Sequence, residues 1–170
     1  MGLLETYHPK SLDVIVLKGQ WWNPITPVVW TRTLSTWTHC VQVRGADGRI
    51  YDAHLPGVEC HALANYKGRY AAILRRRDID DIPLANRIKM IAWADQLVKD
   101  KNSYDFLALV GFYLGIRSFV KEDNKWYCAE IPYYMWEKFY YPMFNEKLTY
   151  VFPSDHYRNR CYQIVMEGVL

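Results

Sequence analysis

The stretch THCVQVRGADGRIYDAH, residues 38–54, reads as two alternating segments joined by a turn. Alternation of apolar and polar residues has the period of a half-buried strand. Gly45-Ala46-Asp47-Gly48 between the segments supplies turn chemistry with an Asp-Gly signal. A β-hairpin is predicted. Its register hangs on the parity of the turn, because successive side chains along a strand point to opposite faces. A loop with an even number of residues puts His39, Val41 and Val43 on one face with Ile50, Asp52 and His54. An odd loop puts Tyr51 and Ala53 there instead.

Outward from the hairpin, LDVIVL (12–17) is rich in β-branched residues and reads as a strand. The aromatic stretch that follows it holds a short helix after Pro24 or Pro27. GVECHAL and RYAAILRR read as further strands, and CYQIVM (161–166) as a closing one. Residues 83–100 carry helical spacing, 104–116 predict a second and buried helix, and a third follows Cys128. Strands in succession with helices mostly in one block predict an α+β fold. No repeat, low-complexity tract or Gly/Ser linker interrupts the chain, so residues 1–170 are expected to form a single domain.

A chain of 170 residues, 51% hydrophobic and 16% aromatic, has enough apolar side chains for a dense core and is not a disordered composition. The net charge is only +3, and the basic run Arg75-Arg76-Arg77 is offset at once by Asp78, Asp80 and Asp81. Nucleic acid is therefore not an expected partner. The apolar run from Phe106 to Ile116 is too short to span a bilayer, and MGLLETYHPK has no secretory signature. Gly2 and Thr6 fit the loose myristoylation pattern, which recurs by chance. The four cysteines, Cys40, Cys60, Cys128 and Cys161, contain no CxxC pair, which favours reduced thiols and a cytoplasmic protein.

Cys128 lies in NKWYCAEIPYYMW (124–136), four residues before Pro132. Proline is tolerated in the first turn of a helix, where N–H groups lack intrahelical partners, and breaks a helix further in. Ile131, Met135 and Phe139 recur at four-residue spacing, so a helix is expected to begin at about Cys128 to Glu130. A thiol there meets free N–H groups and the positive end of the helix dipole, which favour the thiolate. A buried structural cysteine is the alternative. In the even register His39 offers a base and Asp52 an orienting partner. An ordinary strand histidine and a surface aspartate are the alternative there.

The order of these pieces resembles the circularly permuted, NlpC-like branch of the papain fold, the YiiX/YaeF-like cysteine amidases and peptidases. SLDVIVLKG (11–19) and TLSTWTHCVQV (33–43) stand where that family has its "GD-hydrophobic" segment and its histidine strand, which implies His39 as base. IYDAHLPGV (50–58) matches the acidic strand and its "GV", which implies Asp52 as third member, aspartate replacing the usual glutamate. Tyr104-Asp105 matches a "YD" pair, YCAEI (127–131) the nucleophile segment with Cys128, and VFPSDHY (151–157) a late "tPdDl" element. The match spans nearly the whole chain; it departs at Ala129, where the family has serine, and at Leu12, where it has glycine.

The resemblance implies a permuted papain-like α+β fold, an antiparallel sheet packed against helices, and a Cys128–His39–Asp52 cysteine hydrolase. The backbone N–H of Cys128 is the expected oxyanion donor, with Tyr104 or Trp37 a candidate second. The substrate would be a peptide or other acyl compound, cell-wall peptide among them. The same branch includes lipid acyltransferases, in which His54 would replace Asp52. A non-catalytic protein keeping the fold is the reading from another class. Covalent catalysis requires no cofactor or metal, and His54, Cys60 and His61 match no common zinc spacing.

Overall fold

In the computed structural model, residues 2–21, 25–114, 125–139, 141–144 and 150–170 are described. The segment at 12–17 forms strand β1 (Val14–Lys18), and the hairpin forms β2 (Trp37–Val43) and β3 (Arg49–His54). The other strands are β4 (Gly57–Ala62), β5 (Tyr70–Arg76), β6 (Ser103–Tyr104), β7 (Lys125–Trp126) and β8 (Tyr162–Val169). Helices are α1 (Leu3–Thr6), α2 (Ile25–Thr33), α3 (Leu84–Lys99), α4 (Phe106–Leu114), α5 (Glu130–Lys138) and α6 (Pro153–Arg158). The α+β expectation holds. Trp22, Pro24 and the end of the helix expected over 104–116 lie outside the described residues.

Among the described residues the strands form one eight-stranded sheet, ordered β7-β6-β4-β3-β2-β1-β5-β8. All neighbours are antiparallel except the short β6–β7 pair. LDVIVL does not alternate because β1 is central and covered on both faces. Leu12, Val14 and Val16 enter a large core with Met90, Ile131, Met135 and Trp136, from α3 and α5. Ile15 and Leu17 enter a smaller core with Val41, Val43, Ile50 and Leu3. α4 departs from its buried expectation, since Phe106 and Leu107 are exposed while Ala108 is buried. No helix among the described residues is long and apolar enough to cross a membrane.

The hairpin takes the even register. Val43 pairs with Ile50 and Gln42 with Tyr51, and Arg44 donates its N–H to the Arg49 carbonyl, which closes a four-residue loop. Gly48 adopts φ 70°, a conformation that costs glycine little. Gly57, the glycine of the "GV" element, passes so close to the backbone that a Cβ there would collide with the Asn102 carbonyl oxygen. That close approach lets Val58 donate to the same oxygen and ties β4 to the turn before β6.

Asp13 locks the start of β1. Its buried carboxylate accepts a bidentate pair from Arg75 at 2.8 and 2.7 Å and a hydrogen bond from the Tyr7 hydroxyl at 2.6 Å. Its backbone carbonyl accepts from Val43 N–H and from the Gln42 side chain, so the same residue braces β2. Leu12 beside it stands at φ 72°. Asp13→Ala would strand Arg75 and Tyr7 at once. The expected loss is about 3 kcal/mol of unfolding free energy, read by urea denaturation; a loss within error of zero would show that the network contributes nothing.

Candidate active site

The even register places His39 beside Asp52, and the imidazole Nε2 lies 2.8 Å from Asp52 Oδ1. A carboxylate only accepts, so Nε2 carries the proton and Nδ1 is the ring nitrogen left for another partner. The Cys128 thiol lies close enough for its charge to act on the His39 ring. The three residues expected from the sequence are brought together.

The thiol and the ring come from different sides of the sheet. Val41, Val43 and Ile50, on the strand face of His39, pack in the smaller core, whereas Cys40, Tyr51, Ala53 and Cys128 pack in the larger one. They can meet because the β2–β3 ladder stops at Gln42–Tyr51. Val43 exchanges backbone hydrogen bonds with the β1 side, so by alternation the Cys40 N–H points toward β3, where no rung receives it. The Cys128 sulfur lies near that N–H, which adds to the lowering of its thiol.

Four elements hold Cys128 at the start of α5. Glu130 accepts the Tyr127 N–H at 3.2 Å, and the Tyr127 hydroxyl accepts the Val151 N–H at 3.0 Å. From α6, His156 donates through Nε2 to the Ala129 carbonyl at 2.9 Å, while Asp155 of the same "PSDH" run caps its own helix through the Phe152 N–H. Tyr104 is buried against Cys128, and its neighbour Asp105 caps α4 by accepting the Ala108 N–H at 2.8 Å. The Trp37 ring packs tilted against Tyr157, with centroids 4.7 Å apart.

Three participants were not foreseen. Cys40 points away from His39, as strand alternation requires, and the face that it takes is the one where Cys128 packs. Tyr66, from the turn after β4, donates to Asp52 Oδ2 and lies 3.2 Å from His39 Nε2. His61 Nε2 lies 3.1 Å from Asp52 Oδ2. Asp52, with no side-chain exposure, thus has a partner on each carboxylate oxygen. The cross-strand pairing of His61 with Ile50 was the available signal, because it puts His61 on the Asp52 face.

The charges follow. Burial would raise Asp52, but His39, His61 and Tyr66 hold its carboxyl well below the usual range. Burial would lower His39, yet the charges of Asp52 and Cys128 raise it to about 10. The Cys40 thiol donating to its sulfur holds Cys128 well below an ordinary thiol, and His39 adds to this against the opposing effect of burial. Cys40 is pushed up by its burial and by that hydrogen bond. The directions at Cys128 and His39 favour the thiolate of Cys128 and the imidazolium of His39.

Compared by sequence, the chain matches no protein-family model and no curated protein. Compared by structure, it is similar to a crystal structure described as the metalloprotein yiiX from Escherichia coli O157:H7, with a TM-score of 0.65. The two are 13% identical, over 96% of this chain and 100% of that one. At that identity the likeness shows a shared fold.

Iodoacetamide should alkylate Cys128 ahead of the more exposed Cys60 and Cys161, at a rate that holds up below the ordinary thiol range because the thiolate persists there. In Cys40→Ala the midpoint of that pH profile should move upward. Mass mapping with Cys128 inert, or an unmoved midpoint, would refute the charge pair or the donor role in turn.

His156 is buried, which lowers it from 6.5 to about 4. The unfolded chain then binds the extra proton first, so stability should fall as pH drops from about 6.5 towards 4, by roughly 3 kcal/mol at most. His156→Gln, which keeps a donor for Ala129, should flatten that part of the curve. Equal slopes in denaturant titrations of the two proteins would contradict this.

Proposed function

We propose that this chain is a thiol hydrolase of the permuted papain-like class that cleaves an amide, ester or thioester through an acyl-enzyme. The observation that carries the reading is His39 bonded to buried Asp52 by one nitrogen while it stabilises the Cys128 thiolate. A structural cysteine needs no base, and a buried thiolate is costly without one.

Cys128 attacks the carbonyl carbon, and the carbonyl π electrons move to oxygen. The N–H of Cys128 at the helix start is one oxyanion donor, and Tyr104, whose burial keeps its hydroxyl protonated, is the second. His39 passes a proton to the leaving group and then takes one from water, which attacks the thioester and frees Cys128. Asp52 holds the tautomer throughout. The substrate class is a peptide or related acyl compound, and a lipid acyl donor is the alternative within the same chemistry.

The test uses a panel of peptidoglycan-type amides, peptide amides and acyl thioesters. Cys128→Ala and His39→Ala should each cut turnover by on the order of 10³-fold or more, and the double variant should be little worse than either. Asp52→Asn should cost less. Cys128→Ala should melt near wild type. Equal product release by wild type and Cys128→Ala from every panel member would overturn the assignment, and unfolding of Cys128→Ala would place the residue in the core instead.

A further inference from the structure

His54 has no part in that chemistry and His61 serves it only by bonding Asp52, yet both rings aim at that carboxylate. In the β3–β4 register His61 pairs with Ile50, Glu59 with Asp52 and Gly57 with His54, so Asp52, His54, Glu59 and His61 share one face. Cys60, which the sequence groups with the two histidines, faces the larger core instead. His61 Nε2 lies 3.1 Å and His54 Nε2 4.0 Å from the same atom, Asp52 Oδ2, and Glu59 Oε2 lies 3.5 Å from His54 Nε2. The Asp52, His54 and His61 donor atoms all fall within 4.8 Å of one another.

The tautomers make this convergence unusual. His54 Nδ1 lies 2.7 Å from the Leu55 carbonyl and His61 Nδ1 lies 3.2 Å from the Ala62 carbonyl. The Leu55 carbonyl only accepts, so His54 Nδ1 carries a proton and its neutral ring turns a bare Nε2 lone pair toward Asp52 and Glu59. His61 Nδ1 also lies 3.3 Å from the Asn65 side-chain amide nitrogen, and its Nε2 donates to Asp52 Oδ2, a proton that a bound ion would replace. A bare lone pair held against two carboxylates is repelled unless positive charge lies among them. An Nδ1–H anchored on a backbone carbonyl is also how proteins orient an imidazole whose Nε2 binds a metal.

We propose that Asp52 Oδ2, His54 Nε2 and His61 Nε2 bind one divalent ion of the zinc type, with Glu59 closing the site beside His54. Bonds of about 2.0–2.1 Å put tetrahedral donors about 3.4 Å apart, a value that the observed 3.1, 3.5 and 4.0 Å bracket. Two imidazoles with carboxylates suit zinc, cobalt or iron(II) better than calcium or magnesium. The site stands on the β3–β4 face alone and does not depend on the acyl-transfer reading. If both hold, the ion and His39 draw on opposite oxygens of one carboxylate, and metal occupancy tunes the base.

Chelator-stripped protein carrying Cys40→Ala and Cys128→Ala, so that thiols cannot compete, is titrated with Zn²⁺ by calorimetry and with Co²⁺ by visible absorption. One ion per chain is expected, with a tetrahedral cobalt spectrum free of thiolate charge transfer. His54→Gln and His61→Gln should each weaken binding at least tenfold, and Glu59→Gln should weaken it several-fold. Half-exposed His54 makes its variant a fold-neutral control, checked by circular dichroism. No saturable binding, or binding unchanged in both histidine variants, overturns the site. Binding in wild type that vanishes with the two thiols overturns it too, by placing the ion on cysteine. None of these results bears on turnover of the acyl panel, so the two proposals fail separately.

Discussion

The Asp52 carboxylate is the constraint around which the site is arranged. A fully buried negative charge is tolerated only with donors on both oxygens, and β2, β4 and the turn after β4 each contribute one. Those donors fix the β2–β3 register, because a slip of one residue would turn Asp52 into the larger core with nothing to pair it. They also fix the His39 ring, and through it the charge state of Cys128. Packing of α5 and electrostatics of the hairpin are in this way one problem.

The parted β2–β3 ladder is the second requirement. A complete ladder would seal the sheet between His39 and Cys128. By ending at Gln42–Tyr51 it leaves the Cys40 end of β2 open toward Cys128, and the Cys40 backbone and thiol both favour the thiolate there.

What was legible in the sequence was local. Turn parity could be narrowed because four residues and two residues give the same facing, and Pro132 bounded the start of α5 to within two residues. The strand at 12–17 showed itself by its β-branched residues, while its central place in the sheet did not. Alternation turned Cys40 away from His39, but its nearness to Cys128 was not legible, because nothing local says where a ladder stops. Tyr66 lies on a short turn without periodicity, and His156 reaches Ala129 from 27 residues away. Their roles come from tertiary placement. The grouping of His54, Cys60 and His61 followed spacing along the chain, whereas the strand pairing replaces Cys60 with Asp52.

Leu12 bears on how freely this chain can vary. At φ 72° an L-residue carries about 1–2 kcal/mol of backbone strain that glycine would not. Its side chain is fully enclosed in the larger core, a burial of about 1.5–3 kcal/mol that glycine would forfeit along with a cavity. The second quantity exceeds the first, so leucine is retained at a backbone position built for glycine. A β-branched replacement would fit neither the backbone nor the space. The position is thus a compromise with two poor exits, and drift at its neighbours is limited by a residue that never approaches the thiol.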